Sequence, residues 1–261
     1  MISDEIISYY RKGSDGLERK EFLKDHISEC LVLIEDLVDS RLGRLASSKL
    51  YAHNFKELVK LAIVFHDAGK AFYQTERNIK EERDGGERYL SFMGHEFVSA
   101  YIADQFVKVK ELCQTHESAQ DLSSVVFAVY FHHHAIGIGK REKEAIARLG
   151  YISQAEFEIA KEKLKRVLES FLHGEDREVL RKCIDKLSKN GLSNLSLDQI
   201  SNELYQPLHK SDNRLMKLSL LVLDCLLACD YISASKRDSS KSEFSQTILS
   251  FYDIWMRKWV H

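Results

Sequence analysis

Between Leu17 and Leu42 the apolar residues Phe22, Leu23, Ile27, Leu31, Ile34, Leu37 and Val38 recur three and four positions apart, which places them on one face of a helix. This pattern predicts one amphipathic helix with His26 inside it. A second helix is predicted from Asn54 to about His66, where Leu58, Leu61, Ala62 and Phe65 share a face, and Gly69 predicts its stop. The polar, glycine-containing stretch Lys80 to Glu87 predicts a loop, and Gly94 precedes a helix beginning near His95.

From Leu122 to Phe131 the chain is almost continuously apolar, so periodicity does not separate a buried strand from a buried helix. A helix is expected because no partner strand is evident, and it runs directly into His132, His133 and His134. From Glu142 to Asn190 the sequence turns strongly charged and helix-favouring. We assign residues 142–210 to a charged helical insertion. A core helix is expected from about Asp212 to Ala234 and a closing one from Lys241 to Trp259.

Composition narrows this to an all-α helical bundle forming one domain over residues 1–261. A single proline and 12 glycines leave few of the breakers that hairpins need. No apolar run approaches the roughly 18 residues of a membrane span, and the first residues lack the basic and apolar regions of a signal peptide. A cytoplasmic protein without membrane contact is expected. The cysteines Cys30, Cys113, Cys183, Cys225 and Cys229 lie in helical patterns without CxxC pairing and read as buried small hydrophobes. With a net charge of −2, nucleic-acid binding would need a local basic patch or bound cations.

Candidate chemistry lies in five separated clusters: His26, His66-Asp67, His95, His132-His133 and Asp230. Imidazole and carboxylate without thiolate suit first-row divalent cations such as manganese, iron, cobalt, nickel or zinc rather than calcium. Each cluster falls at a helix end or on an apolar helix face, where an unpaired polar group would cost about 1–3 kcal/mol. A shared cation removes that cost. Adjacent helical positions diverge by about 100°, so His66 and Asp67 reach one ion only at a helix terminus. Lys70, four residues after His66, lies at the same mouth and could meet a phosphate oxygen.

The order His26, His66-Asp67-Ala68-Gly69-Lys70, Gly94-His95-Glu96, His132-His133 and Asp230-Tyr231-Ile232-Ser233 resembles the HD-domain superfamily of metal-dependent phosphohydrolases. More closely it is similar to the HD nuclease part of the type I CRISPR helicase-nuclease, here as a stand-alone chain. The resemblance implies two divalent transition-metal ions (Mn, Ni, Co or Fe, with Mg as a further candidate). One would be held by His26, His66, Asp67 and Asp230, the second by Asp67, His95, His132 and His133, with Asp67 bridging. It implies hydrolysis of phosphodiesters in single-stranded DNA, and also RNA, with Asp67 and Lys70 at the reacting phosphate. A small-nucleotide phosphohydrolase with the same ligands is the alternative. Implied partners are a separate CRISPR helicase subunit and an RNA-guided surveillance complex, since the chain carries no Walker motif of its own.

Two departures stand out. Three histidines follow one another where two are expected, so the pair is His132-His133 or His133-His134. The serine expected four residues after the last aspartate is Ala234, flanked by Ser233 and Ser235. Beyond the ligands, Lys140 and Arg141 follow the histidine run and are candidates for guiding a nucleic-acid backbone. Phe72, Tyr73 and Phe92 lie near the same mouth and could stack on unpaired bases, but most of them are expected in the core.

Overall fold

The computed structural model describes residues 5–82, 86–112, 116–133, 138–193, 213–236 and 243–258, without the side chains of 116–119, 138–140, 142, 146, 193 and 243–245. Helices dominate: α1 (Leu23–Val32), α2 (Arg41–Leu50), α3 (Phe55–Phe65), α4 (His95–Glu111), α5 (His116–Phe131), α6 (Ile138–Tyr151), α7 (Gln154–Glu169), α8 (Gly174–Lys186), α9 (Lys189–Ser193), α10 (Asn213–Ser235) and α11 (Glu243–Phe251). None of the described helices is long and apolar enough to cross a membrane.

The apolar run 122–131 is helical, as expected, and it lies at the centre of the bundle. Helix α5 packs against α3, α4 and α10, and Val125, Ala128 and Val129 are fully buried. Helix α10 also packs against α1 and α3, which carries the late Asp230 toward the clusters from the first half of the chain.

One element departs from an all-helical reading. A four-stranded antiparallel sheet in the order β2-β1-β4-β3 is formed by β1 (Ile7–Lys12), β2 (Glu18–Phe22), β3 (Ile79–Glu81) and β4 (Arg88–Leu90). The helix expected from Leu17 is therefore divided into β2, α1, a 3-10 turn at Leu37–Asp39 and α2. Gly16 takes a φ of 80° in the turn between β1 and β2, and Asp15 Oδ1 accepts from the Leu17 N–H at 2.9 Å. The expected loop at 80–87 contributes to a β3–β4 pair. Gln74 ties this sheet to the bundle by accepting from the Ile7 N–H and donating to the Ile7 carbonyl, at 3.1 and 3.0 Å.

Gly69 does not stop α3. The chain continues as a 3-10 helix over Ala68–Tyr73, and Gly69 is needed for close approach, since a Cβ there would strike the His95 carbonyl oxygen and Val98. Its N–H donates to Ser99 Oγ at 2.8 Å. This packing sets the His66-Asp67 turn against the start of α4.

The charged region after residue 138 folds as α6 to α9 and packs on the bundle. Phe157 of α7 stacks on Phe72 at 5.2 Å between ring centroids, and Cys183 of α8 is buried with its thiol 3.7 Å from the Ile102 carbonyl. Residues 194–212 lie outside the described residues.

Candidate metal centre

Three histidines of the site, His66, His95 and His132, sit where a helix begins or ends, and each ring is held by its own turn. His66 caps α3, and its Nδ1–H donates to the Ile63 carbonyl at 2.7 Å. His95 opens α4 and donates from Nδ1 to Phe92, again at 2.7 Å. His132 follows α5 and donates from Nδ1 to Val129 at 2.7 Å. In all three the proton is fixed on Nδ1, so Nε2 presents a lone pair inward.

His26 is held differently. Its Nδ1 lies 3.1 Å from Ser233 Oγ and 3.5 Å from Glu21 Oε2, and Ser233 Oγ in turn donates to Glu29 Oε2 at 3.1 Å. Ser233, on α10 three residues after Asp230, is thus the serine that reaches His26, one position before the Ala234 that stands where the pattern expects one. Sequence reading missed Glu21, Glu29 and Ser233, although the serine was visible one residue from its expected place.

The inward atoms form two groups around Asp67. His26, His66 and Asp67 make one, His95, His132 and His133 the other, with candidate ligand atoms within 4.8 Å of one another inside each group. Asp67 Oδ2 faces the first, 3.6 Å from His26 Nε2 and 3.5 Å from His66 Nε2. Asp67 Oδ1 faces the second, 2.8 Å from His95 Nε2 and 4.0 Å from His132 Nε2. Asp230 Oδ1 closes the first group, 3.2 Å from His26 Nε2 and 3.9 Å from His66 Nε2. His133 joins the second, its ring centroid 4.2 Å from that of His132 and 5.2 Å from that of His95. His134 lies outside the described residues.

Charge is balanced for cations. Burial raises the Asp67 carboxyl, but Lys70, His66 and His95 reverse this and hold it well below the usual carboxylate range. Burial likewise raises Asp230, and its hydrogen bond from His26 and the nearness of His66 bring it far lower. Burial lowers His66, and burial with the neighbouring imidazoles lowers His132 to about 3 and His133 well below its ordinary value. These three rings are neutral donors near pH 7. His26 is the exception: burial lowers it, yet hydrogen bonds to Asp230, Cys30 and Glu21 outweigh this and raise it well above its ordinary value.

The residues fit a metal. Among the described residues, the buried Nε2 atoms of His95 and His132 make no assigned hydrogen bond, although His95 Nε2 comes within 2.8 Å of Asp67 Oδ1. Lone pairs buried this way cost about 1–3 kcal/mol each unless something accepts them. A cation between imidazole nitrogens and a carboxylate oxygen does so, and the nitrogen–oxygen donor set suits first-row divalent ions. Cys30 Sγ lies 4.0 Å from His26 Nε2, but burial raises its thiol pKa, so it stays a protonated neighbour.

The HD-domain family model matches residues 25–183, more than half of the chain. The chain belongs to the HD-domain family. It is accordingly a metal-dependent hydrolase, with His/Asp groups that could hold the metal. No curated protein and no solved structure matches it. The matched span ends before Asp230, which the fold delivers on α10.

Other candidates are placed differently. Lys70 is 8% exposed, and its Nζ donates to Asp67 Oδ2 at 2.6 Å and to the Ser8 carbonyl at 3.2 Å, 5.2 Å from the centre of the Phe92 ring. Arg141 faces inward: it is 8% exposed and forks onto Glu96, so in this structure it does not reach toward a nucleic-acid backbone. The Lys140 side chain lies outside the described residues. Phe72 and Tyr73 are core residues, too enclosed to stack on a base, whereas Phe92 is half-buried beside Lys70.

Proposed function

We propose that the protein is a two-cation phosphodiester hydrolase that cleaves single-stranded DNA, and also RNA, in CRISPR interference. The observation carrying this reading is the division of Asp67, one oxygen toward each ligand group. His26, His66, Asp67 and Asp230 would hold one ion, and Asp67, His95, His132 and His133 the other. Two such ions supply an activated water and stabilise charge on the attacking and leaving oxygens.

The chain's own residues arrange the rest. Nδ1 bonds to the carbonyls of Ile63, Phe92 and Val129 keep the imidazoles aimed and in one tautomer. Lys70, beside Asp67, carries the positive charge for a non-bridging phosphate oxygen, and Phe92 walls the same mouth. The doubled histidine His132-His133 after an apolar run, the upstream His26 and the charged insertion lean toward the CRISPR nuclease over other HD enzymes. A separate helicase subunit and an RNA-guided surveillance complex would then deliver the strand.

The second reading is a phosphohydrolase of small nucleotides. The inward turn of Arg141 favours it, because that removes one expected contact to a polynucleotide. Metal-stripped protein, resupplied with manganese, nickel, cobalt or magnesium, separates the two on labelled single-stranded DNA and a nucleotide panel, with Asp67→Ala as control. Metal-dependent DNA cleavage lost in the variant supports the nuclease. Nucleotide turnover with intact DNA supports the second reading.

A further inference from the structure

Helix α6 grips the turn that presents His95. Near its N-terminal end, Arg141 donates from Nε to Glu96 Oε1 and from Nη2 to Glu96 Oε2, the latter at 2.8 Å. Glu96 is 2% exposed, and its Oε2 lies 3.6 Å from His95 Nδ1. Two turns further along α6, Arg148 donates from Nη1 to the Ser91 carbonyl at 2.6 Å and from Nη2 to Ser91 Oγ at 3.1 Å. Between the two arginines the helix lies directly on Gly94. With its φ of 90°, a Cβ at Gly94 would come within 2.7 Å of both Ala145 Cβ and the Arg141 carbonyl oxygen.

The segment from Ser91 to Glu96 is thus fastened at both ends, with His95 between. A buried ion pair is a weak source of net stability, because desolvation offsets much of its attraction. Its bidentate form does fix geometry, which a lysine would not reproduce. Helix α6 also begins only five residues after His133. It is therefore tied to ligands of the group facing Asp67 Oδ1, whereas His26, His66 and Asp230 belong to α1, the end of α3 and α10.

We infer that the Glu96–Arg141 pair is a positioning device for the cation held by His95, His132 and His133, with Arg141 acting through Glu96 on the aim of His95 Nε2. The inference rests on the two-cation reading. It also gives the charged helical region a role: its first helix sets one half of the metal centre.

Arg141→Lys and Glu96→Gln test this, with Arg166→Ala, an exposed position on α7, as control. Metal-free proteins are titrated with Mn²⁺, following stoichiometry and affinity by calorimetry, in three backgrounds: unaltered, His26→Ala and His133→Ala. In the unaltered background one ion should keep its affinity while the other weakens about 3- to 10-fold, less than the roughly 10- to 100-fold that follows loss of a direct hydrogen-bond partner of a ligand, because the Phe92 carbonyl still holds His95 Nδ1. With His26→Ala the remaining ion should weaken by the same factor, and with His133→Ala the remaining ion should not respond. Equal weakening of both ions, or no change in either, overturns the inference. If the unaltered protein takes up one ion only, the two-cation reading fails. The positioning role then stands if that ion is lost in His95→Ala and weakened in Arg141→Lys, and falls otherwise.

Discussion

Lys70 Nζ lies 2.6 Å from Asp67 Oδ2, on the same oxygen that faces His26 and His66. The ammonium neutralises a carboxylate that is almost completely buried, and it competes with any cation arriving at that oxygen. Lys70→Met should therefore lower the thermal stability of the metal-free protein, because the buried charge loses its partner. Metal affinity should rise by about tenfold, or 1.4 kcal/mol, while turnover falls. Differential scanning calorimetry with and without Mn²⁺ checks both signs.

Metal uptake should release a proton. His26 is raised well above its ordinary value in the metal-free protein, so near pH 7 it must shed its proton to become a ligand. Affinity should rise with pH across that range. Calorimetric titrations in two buffers of different ionisation enthalpy give the number of protons released.

The same groups set the acid limit of the metal-free fold. His132 titrates at about 3 in the folded protein, far below its unfolded value of about 6.5. The unfolded state therefore binds the proton first, and stability falls as pH drops from about 6.5 toward 3, by about 1.4 kcal/mol per unit for this one group. Asp67 and Asp230, both lowered, add their loss at still lower pH. His26, being raised, acts oppositely: its stabilisation is present below its unfolded pKa and is lost as pH rises through the folded one. Chemical unfolding of the metal-free protein between pH 8 and 4 should show the acid loss, and saturating metal should shrink it.

Ser233→Ala should weaken the ion at His26 by about 10- to 100-fold, since it removes the hydroxyl that orients Nδ1. Ala234→Ser should leave affinity unchanged. Equilibrium dialysis against Mn²⁺ distinguishes them.

Gly69→Ala should destabilise the protein by about 1–3 kcal/mol, as overpacking does, because the new methyl would press on the His95 carbonyl and Val98. Metal affinity should fall with it, the displacement lying between Asp67 and His95. Denaturant unfolding and metal titration of one preparation measure both.

The clusters were legible in the sequence because helix periodicity and motif order place them at helix ends or on buried helix faces, and the structure brings these together. The sheet was not. Its strands are three to six residues long, and Glu-Arg-Lys-Glu-Phe of β2 is polar without clean alternation. The turn Gly13-Ser14-Asp15-Gly16 is the available signal, and a helix read from apolar spacing alone begins at Leu17 without using it. The direction of Arg141 was equally hidden, since a basic residue near a helix start reads as solvated until a buried acid such as Glu96 is found opposite it.

The bonds from His66, His95 and His132 to carbonyls three residues upstream have a wider consequence. Each of these rings has its tautomer fixed by its own turn, so which nitrogen faces the centre is decided within a short segment, while packing places the segment itself, as α6 does for Ser91 to Glu96. The chain between these segments is then free to vary in length and shape wherever it does not itself hold one of them, as α6 does. That modularity accounts for how a sheet and a set of charged helices can be threaded between ligands without disturbing which nitrogen of each ring faces the centre.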